Sequence, residues 1–174
     1  MKMRIAGIVS DSIVDGPGIR YTIFAQGCPR DCPGCHNPQT HDPQGGYEID
    51  VAKLVDEIRA NPLLDGVTFS GGEPLMQAAP LTQVARVAKE LGLNVVVYSG
   101  YSWEEICAAN NANWNELLEF VDVLVDGPYE SERRDWNLRF AGSTNQRFID
   151  VQRTLRSDAL VVLPIFDHMP TPLN

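Results

Sequence analysis

The sequence is poor in three features that would define a class of protein at once: long apolar runs, basic residues and cysteines. No apolar run reaches the about 18 residues of a membrane span, so we expect none in this 174-residue, one-domain chain. The N-terminal stretch MKMRIAGIVSDS lacks a full apolar region and a small-residue cleavage site, so no signal peptide is predicted. With 14 basic and 23 acidic side chains the formal net charge is −9, which argues against a nucleic-acid partner.

Only four cysteines are present, but three of them stand together at C-x3-C-x2-C spacing in the stretch GCPRDCPGCHN, residues 27–37. These are Cys28, Cys32 and Cys35. They are too close together to pair neatly as disulfides, and the absence of an export signal favours free thiols in a reducing cytoplasm. Three thiolates on one short loop form a soft-ligand metal site.

The number of ligands separates two kinds of metal site. A fully ligated [4Fe–4S] cluster takes four thiolates, so a loop that offers three leaves one iron open to another ligand. Cys107 is a candidate fourth ligand, but it lies in a helical stretch far along the chain. Structural zinc with His36 or His41 as its fourth ligand also fits these residues. From the loop alone, both metals remain open.

The rest of the chain predicts alternating strands and helices. Strands are predicted at 4–9, 19–25, 67–70, 94–98 and 123–125, with a possible further strand at 148–151. Helices are predicted at 51–60 behind an Asp50 cap, at 76–91 ending at Gly92, after a capping box at 102–105, and at 114–121. The order from residue 19 to residue 125 specifies parallel strands with right-handed crossovers. Five or six strands are too few for a closed barrel, which needs about eight.

Special residues follow the ends of these strands. They are the cysteine loop, Gly71-Gly72-Glu73, Ser99-Gly100 and Asp126-Gly127. The C-terminal ends of parallel strands form one rim, where ligands bind, so we predict a single site there. Two alternative interpretations need no ligand and remain open. In one, the stretch from Gly71 to Pro74 only turns a strand into the following helix. In the other, Asp126 accepts hydrogen bonds from backbone donors in its own turn.

With its cysteine spacing and GGE motif, the sequence resembles the radical S-adenosylmethionine enzymes. DGPGIR, GCPRDCPGCHN and FSGGEPL resemble the glycyl-radical activating enzymes. YSGYSWEEI, DVLVDGPYE and RRDWNLRFAGSTNQRFIDV are similar to the activating proteins of anaerobic ribonucleoside-triphosphate reductases. The resemblance covers residues 5–152. One departure is Gly34, since many such enzymes carry an aromatic residue at this position. His36 is a candidate to supply the flat packing surface that the aromatic residue would otherwise provide.

The resemblance implies an α/β fold, a partial (βα) barrel of the radical S-adenosylmethionine type with an open, mostly parallel, curved sheet. It would occupy residues 1–156, and residues 157–174 would be a C-terminal extension without an assigned role. One [4Fe–4S] cluster would be held by the three loop cysteines. The implied residues against S-adenosylmethionine are Gly34, Cys35, His36, Gly71, Gly72, Glu73, Ser99 and Asp126.

The implied chemistry is reductive cleavage of S-adenosylmethionine to methionine and a 5′-deoxyadenosyl radical, which takes a hydrogen from a glycine of the reductase. A flavodoxin- or ferredoxin-type electron donor is implied, with no membrane partner. The alternatives are activation of another glycyl-radical enzyme such as pyruvate formate-lyase, a small-molecule radical enzyme, or a zinc-binding interaction module. We expect Trp103, Trp114 and Trp136 to be packing residues. Charged and polar residues at 133–135 and 145–147 are a candidate docking face.

Overall fold

A single sheet organises the structure, a computed structural model that describes residues 1–164 and 166–170. Within those residues the sheet has eight strands in the order β3-β1-β2-β4-β5-β6-β7-β8. The strands are β1 (Lys2–Ser12), β2 (Arg20–Ala25), β3 (Tyr47–Asp50), β4 (Gly66–Gly71), β5 (Asn94–Tyr98), β6 (Val123–Asp126), β7 (Arg147–Asp150) and β8 (Val162–Leu163). The sheet is open, with β3 and β8 at its edges.

The four central strands of the sheet are parallel. β2, β4, β5 and β6 pair in parallel, whereas β1 and β3 on one side and β7 and β8 on the other are antiparallel. Residues 13–19 join β1 to β2, and this connection is shorter than the about twelve residues of a parallel crossover. The predicted open α/β sheet is confirmed, with its parallel part in the centre.

Five α-helices lie within the described residues. They are α1 (Val51–Ala60), α2 (Ala78–Glu90), α3 (Trp103–Ala109), α4 (Ala112–Leu118) and α5 (Val151–Leu155). α1 buries its predicted apolar face, but Asp50 at its N-terminus makes no side-chain capping bond. A 3-10 turn, Pro74–Gln77, precedes α2 where the sequence predicted helix. None of the described helices is long and apolar enough to cross a membrane.

The sheet buries apolar side chains on both faces. On one face the helices cover a large core that includes Ile23, Phe69 and Val97. On the other face a smaller cluster holds Val96, Val123, Val125 and Phe166. We call this second side the helix-free face. Burial on both sides is what parallel central strands require.

The described part of the C-terminal extension belongs to this sheet. β8 pairs with β7, and Phe166 is buried on the helix-free face. The division of the chain at residue 156 stays a prediction.

Candidate cofactor site

The cysteine loop leaves the end of β2 and is closed by backbone bonds. The amide of Gly27 donates to the carbonyl of Thr40 at 2.8 Å, and that of Cys28 donates to the carbonyl of His41 at 3.1 Å. The loop's shape is therefore set partly by main-chain contacts. Its thiols, Cys28, Cys32 and Cys35, are free and partly exposed.

All three thiols open onto one cavity of about 920 Å³. This volume lies near the top of the about 300–1,000 Å³ range of ligand pockets. Of the predicted cofactor residues, the cavity is also lined by His36, Gly71, Gly72, Glu73 and Ser99. Gly34 and Asp126 are not among the lining residues. The ends of β2, β4 and β5 thus meet at one site, as the strand-end rule predicts.

The donor set of the loop bears on the two candidate metals, a single zinc ion and an iron–sulfur cluster. Among residues 1–164 and 166–170, no three His, Cys, Asp or Glu side chains converge on a point where a single ion would bind. Tetrahedral zinc needs such convergence, at about 2.0–2.3 Å from each ligand. In a [4Fe–4S] cluster the thiolates bind different irons, so they stand further apart. The three free thiols of the loop are of the ligand type that such a cluster takes.

Gly71 and Gly72 bring β4 against the cysteine loop. Gly71 has φ of 97°, a conformation that favours glycine. The amide of Glu73 donates to the carbonyl of Gly27 at 2.8 Å. A Cβ on Gly72 would lie 2.9 Å from the Gly27 carbonyl carbon and 3.0 Å from the Thr40 oxygen. Gly72 is therefore required by the approach of the loop's own backbone.

Glu73 is fully buried and joins two strand ends. Its carboxylate accepts from the amide of Leu75 at 3.0 Å and from that of Gly100 at 2.8 Å. The Ser99 hydroxyl donates to the same carboxylate at 3.0 and 3.1 Å. Burial raises the pKa of Glu73 to about 7, although these hydrogen bonds oppose the shift. A cationic ligand would favour its charged form.

Asp126 is buried at the end of β6 but is engaged within the protein. Arg147 from β7 donates to both of its oxygens, at 3.0 and 2.6 Å, and the amide of Trp103 donates at 2.7 Å. Arg147 also contacts Glu104 on α3 at 2.7 Å. These donors belong to β7 and α3, so Asp126 links separate elements, whereas the interpretation without a ligand predicts donors in its own turn.

Residues 127–146, which we call the covering loop, lie over the cysteine loop. The rings of His36 and Tyr129 stand 4.6 Å apart, and a Cβ on Gly142 would lie 3.0 Å from the Tyr129 ring. Gln146 fastens the base of the covering loop, accepting from the Gly142 amide at 2.8 Å and donating to the Gly127 carbonyl at 3.1 Å. His36 thus supplies an aromatic packing surface beside the cysteines.

Arg30, inside the cysteine loop, connects that loop to α3. Its guanidinium contacts Glu105 at 2.8 Å and lies 4.5 Å from the centre of the Tyr101 ring. Glu105 also closes the predicted capping box with Ser102, which is confirmed. The sequence reasoning did not single out Arg30, nor the cavity-lining Tyr129, Phe140 and Gly142, and it placed Gln146 only within the candidate docking face. The last four lie within motifs on which the family resemblance rests.

The covering loop also corrects the expectation for the tryptophans. Trp103 and Trp114 pack against the main core, as predicted. Trp136 does not: it is 81% exposed at the cavity, with the Arg134 guanidinium 3.5 Å from the centre of its ring.

Comparison with known proteins gives two levels of similarity. A family model described as "4Fe-4S single cluster domain" matches residues 14–149. The pyruvate formate-lyase-activating enzyme of Clostridium pasteurianum is 38% identical over 128 residues, 70% of this chain and 50% of that protein. The anaerobic ribonucleoside-triphosphate reductase-activating protein of Escherichia coli K12 is 35% identical over 144 residues, 77% of this chain and 90% of that protein.

Fold similarity to solved structures is weaker. The crystal structure of QueE from Escherichia coli matches with a TM-score of 0.45 and 17% identity, over 59% of this chain and 54% of that one.

The matched family and the thiol-lined cavity define an iron–sulfur protein with a single cluster. Its similarity to both kinds of activating enzyme narrows the class further. The chain belongs to the radical S-adenosylmethionine family, among the glycyl-radical activating enzymes.

Proposed function

We propose that this chain activates an anaerobic ribonucleoside-triphosphate reductase by generating a glycyl radical on it. One [4Fe–4S] cluster would be held by Cys28, Cys32 and Cys35, and S-adenosylmethionine would bind beside it. The observation that carries this proposal is the shared cavity, in which the three free thiols meet the GGE segment and Ser99. That cavity combines soft metal ligands with space for a nucleoside-sized cofactor.

The chain's own residues would bind the cluster and the cofactor, orient them and shield them from water. The cysteine loop would hold the cluster at its three thiolates, leaving one iron for the cofactor. Glu73 would accept from the cofactor's ammonium group, and its pKa of about 7 would fall beside that cation. His36 and Tyr129 would exclude water on the covering-loop side. When bound, the reduced cluster and S-adenosylmethionine together supply the one-electron cleavage that ends in hydrogen abstraction from the partner's glycine.

The position of Asp126 makes it a residue that supports the site. Its two oxygens already accept from Arg147 and Trp103, so we propose that it fixes β7 and α3 beside the cavity. Ser99 would act on the cofactor through Glu73, to which its hydroxyl donates. Gly34 would let the cysteine loop turn, since its φ is 71°.

The fuller match supports the reductase over pyruvate formate-lyase as the partner. The match spans 90% of the Escherichia coli reductase-activating protein but 50% of the Clostridium pasteurianum pyruvate formate-lyase-activating enzyme. The pyruvate formate-lyase-activating enzyme of Staphylococcus aureus USA300 is 32% identical and matched over 64% of its length. Activation of pyruvate formate-lyase is the second candidate, since it rests on the higher identity.

We also propose the conditions in which the protein works. Free thiols and a reducible cluster suit the cytoplasm, where a flavodoxin- or ferredoxin-type protein would supply the electron. The acidic chain would bind neither nucleic acid nor membrane.

The decisive experiment begins with anaerobic purification and analysis of iron, sulfide and zinc. The reduced protein is then mixed with S-adenosylmethionine and either an anaerobic reductase or pyruvate formate-lyase, and the glycyl radical is followed by EPR. We expect about four iron and four sulfide per chain, with a glycyl signal on the reductase. Zinc in place of iron would contradict the enzyme assignment, and a signal only on pyruvate formate-lyase would establish the second candidate.

A further inference from the structure

Phe140, near the tip of the covering loop, stands out for its backbone. It lines the cofactor cavity and has φ of 61°, a conformation that side chains other than glycine rarely adopt. Such a residue persists only when surrounding contacts offset the strain.

Main-chain hydrogen bonds do not hold this part of the covering loop. In the described part of the chain, the backbone groups of Arg139, Phe140 and Ala141 make no hydrogen bonds. The bonds that fasten the loop lie nearer its base, as in the 2.8 Å contact from the Gly142 amide to Gln146. Side-chain packing must therefore set the position of Phe140.

That packing comes from the C-terminal segment, by which we mean residues 162–164 and 166–169. The ring of Phe166 meets that of Phe140 edge-on at 5.8 Å and that of Phe148, on β7, at 5.2 Å. Both distances lie within the about 4.5–7 Å range of favourable aromatic pairs. Phe166 is only 2% exposed, although it follows a segment that is largely exposed.

The same segment covers the apolar cluster on the helix-free face. Phe166 forms one cluster with Val96, Val123 and Val125, against which further apolar side chains pack. These further side chains are Tyr98, Phe140, Phe148, Leu163 and Met169. Tyr98 and Phe140 also line the cofactor cavity, so the cluster continues into the site.

We propose that the C-terminal segment supports a wall of the cofactor cavity from behind, with Phe166 as a positioning residue that holds the cavity-lining Phe140 against the site. Phe166 touches no reacting group and acts through the Phe140 ring. The identity of the ligand, S-adenosylmethionine, rests on the function proposed above, whereas the link between Phe166 and Phe140 does not.

The first test needs no cofactor. Trypsin cleaves after arginine, and the bond between Arg139 and Phe140 lies at the point that Phe166 would hold. In the protein without cluster, Phe166→Ala should speed cleavage after Arg139 by about tenfold, because local opening becomes more frequent. Phe166→Leu should give a smaller increase, since it keeps apolar volume. Leu155→Ala, at an exposed site on α5, should cleave as the parent does.

The second test measures the cavity itself. After anaerobic reconstitution, Phe166→Ala should keep the parent's iron and sulfide but bind S-adenosylmethionine about tenfold more weakly by equilibrium dialysis, a loss of about 1.4 kcal/mol. Phe166→Leu should recover part of the affinity, and Leu155→Ala should match the parent.

The outcomes separate the two proposals. Unchanged cleavage after Arg139 in both Phe166 variants would overturn the link to Phe140. Faster cleavage with parental cofactor affinity would overturn the assignment of the segment as the support of that cavity wall. A parent protein that takes up no cluster would instead contradict the proposed function, while the cleavage test would still decide whether Phe166 holds Phe140.

Discussion

At the scale of single residues, Glu73 holds together the ends of β4 and β5. A carboxylate without solvent access normally needs a cation, yet here it is met by two amides and a hydroxyl. Its Coulombic interaction with Arg30 is weaker than these hydrogen bonds. Glu73 is therefore a carboxyl group with a pKa of about 7, and a cation bound beside it would favour its charged form.

Glu73 predicts a pH dependence of stability for the protein without cofactor. Burial raises its pKa to about 7 from an ordinary value of 4.5, so the folded state binds the proton more tightly than the unfolded chain. The resulting stability is fully present below the ordinary pKa and is lost as pH rises to about 7. Glu73→Gln is neutral throughout, so its unfolding free energy relative to the parent should rise by about 3 kcal/mol between pH 4.5 and pH 8.

Chemical denaturation at the two pH values measures this difference. Glu90→Gln, at an exposed position at the end of α2, is the control and should show no such trend. A parent and a Glu73→Gln variant that respond identically to pH would show that Glu73 titrates normally.

The cysteines give the second residue-scale prediction. Alanine at any one of the three loop positions should abolish a stable cluster, taking iron from about four atoms per chain to near zero. Cys107→Ala should keep the full content, because Cys107 is exposed on α3 and does not line the cavity. Iron and sulfide analysis after anaerobic reconstitution checks both. Equal iron loss in the Cys107 variant would mean that no iron is left open.

Sequence reasoning found the residues that follow strand ends. The cysteines, the two glycines, Glu73 and Ser99 are brought to one cavity because parallel strands place their C-terminal ends on one rim. It missed Tyr129 and Phe140 because the covering loop has no periodicity that fixes its path. Trp136 was predicted wrongly for the same reason: an aromatic residue in an irregular loop carries no signal of which side faces solvent.

At the scale of elements, the junction of β2 with β4 is where a small change would have the largest effect. Gly72→Ala should push the Gly27 and Thr40 backbone away and displace the base of the cysteine loop. We expect iron content to fall by more than half and unfolding free energy to drop by about 1–3 kcal/mol. The resemblance implies that Gly72 lies against S-adenosylmethionine, but a Cβ there would first meet the backbone of the cysteine loop.

A matched substitution exists on β1. Gly7→Ala places its Cβ where no atom lies within 4 Å, and it should keep both iron and stability. If Gly72→Ala reconstituted as well as Gly7→Ala, the close approach of the two loops would not matter for the cluster.

Helices and strands with a strong local sequence pattern were predicted well, and those without one were missed. β5 matches its predicted bounds, as does α1, because a buried valine run and an amphipathic repeat are strong patterns. β3, α5 and β8 were missed. β3 buries only Ile49 and owes its existence to pairing with β1, which is distant in sequence. α5 has five residues and β8 has two, too few for a periodic pattern.

At the scale of the whole molecule, the open sheet leaves the cavity accessible beside an exposed aromatic side chain. Trp136 is 81% exposed and stacked under Arg134, within a chain of net charge −9. Most of the other predicted docking residues are engaged internally, with Asn145 bonded to Pro128 and Arg147 to Asp126. We therefore expect Trp136 and Arg134 to carry the contact with the protein partner.

Trp136→Ala should raise the reductase concentration that gives half-maximal glycyl radical by about tenfold or more, since aromatic anchors dominate interfaces. EPR of the glycyl radical across a reductase titration measures this. Leu63→Ala is the control, because Leu63 is 70% exposed before β4, at the opposite end of the strands. A shift of the same size in both variants would indicate a general loss of stability, and no shift in either would place the contact elsewhere.

The closure of the cysteine loop by backbone bonds bears on how such a protein is made and maintained. The contacts from Gly27 to Thr40 and from Glu73 to Gly27 involve no metal, and the main core lies on the helix-covered face. We therefore expect the chain to reach its shape before any iron is delivered, unlike small zinc domains whose folding awaits their ion. Cluster assembly would then add iron and sulfide to a chain that has already folded. A protein that has lost its cluster would then be able to take up a new one, without being degraded and resynthesised.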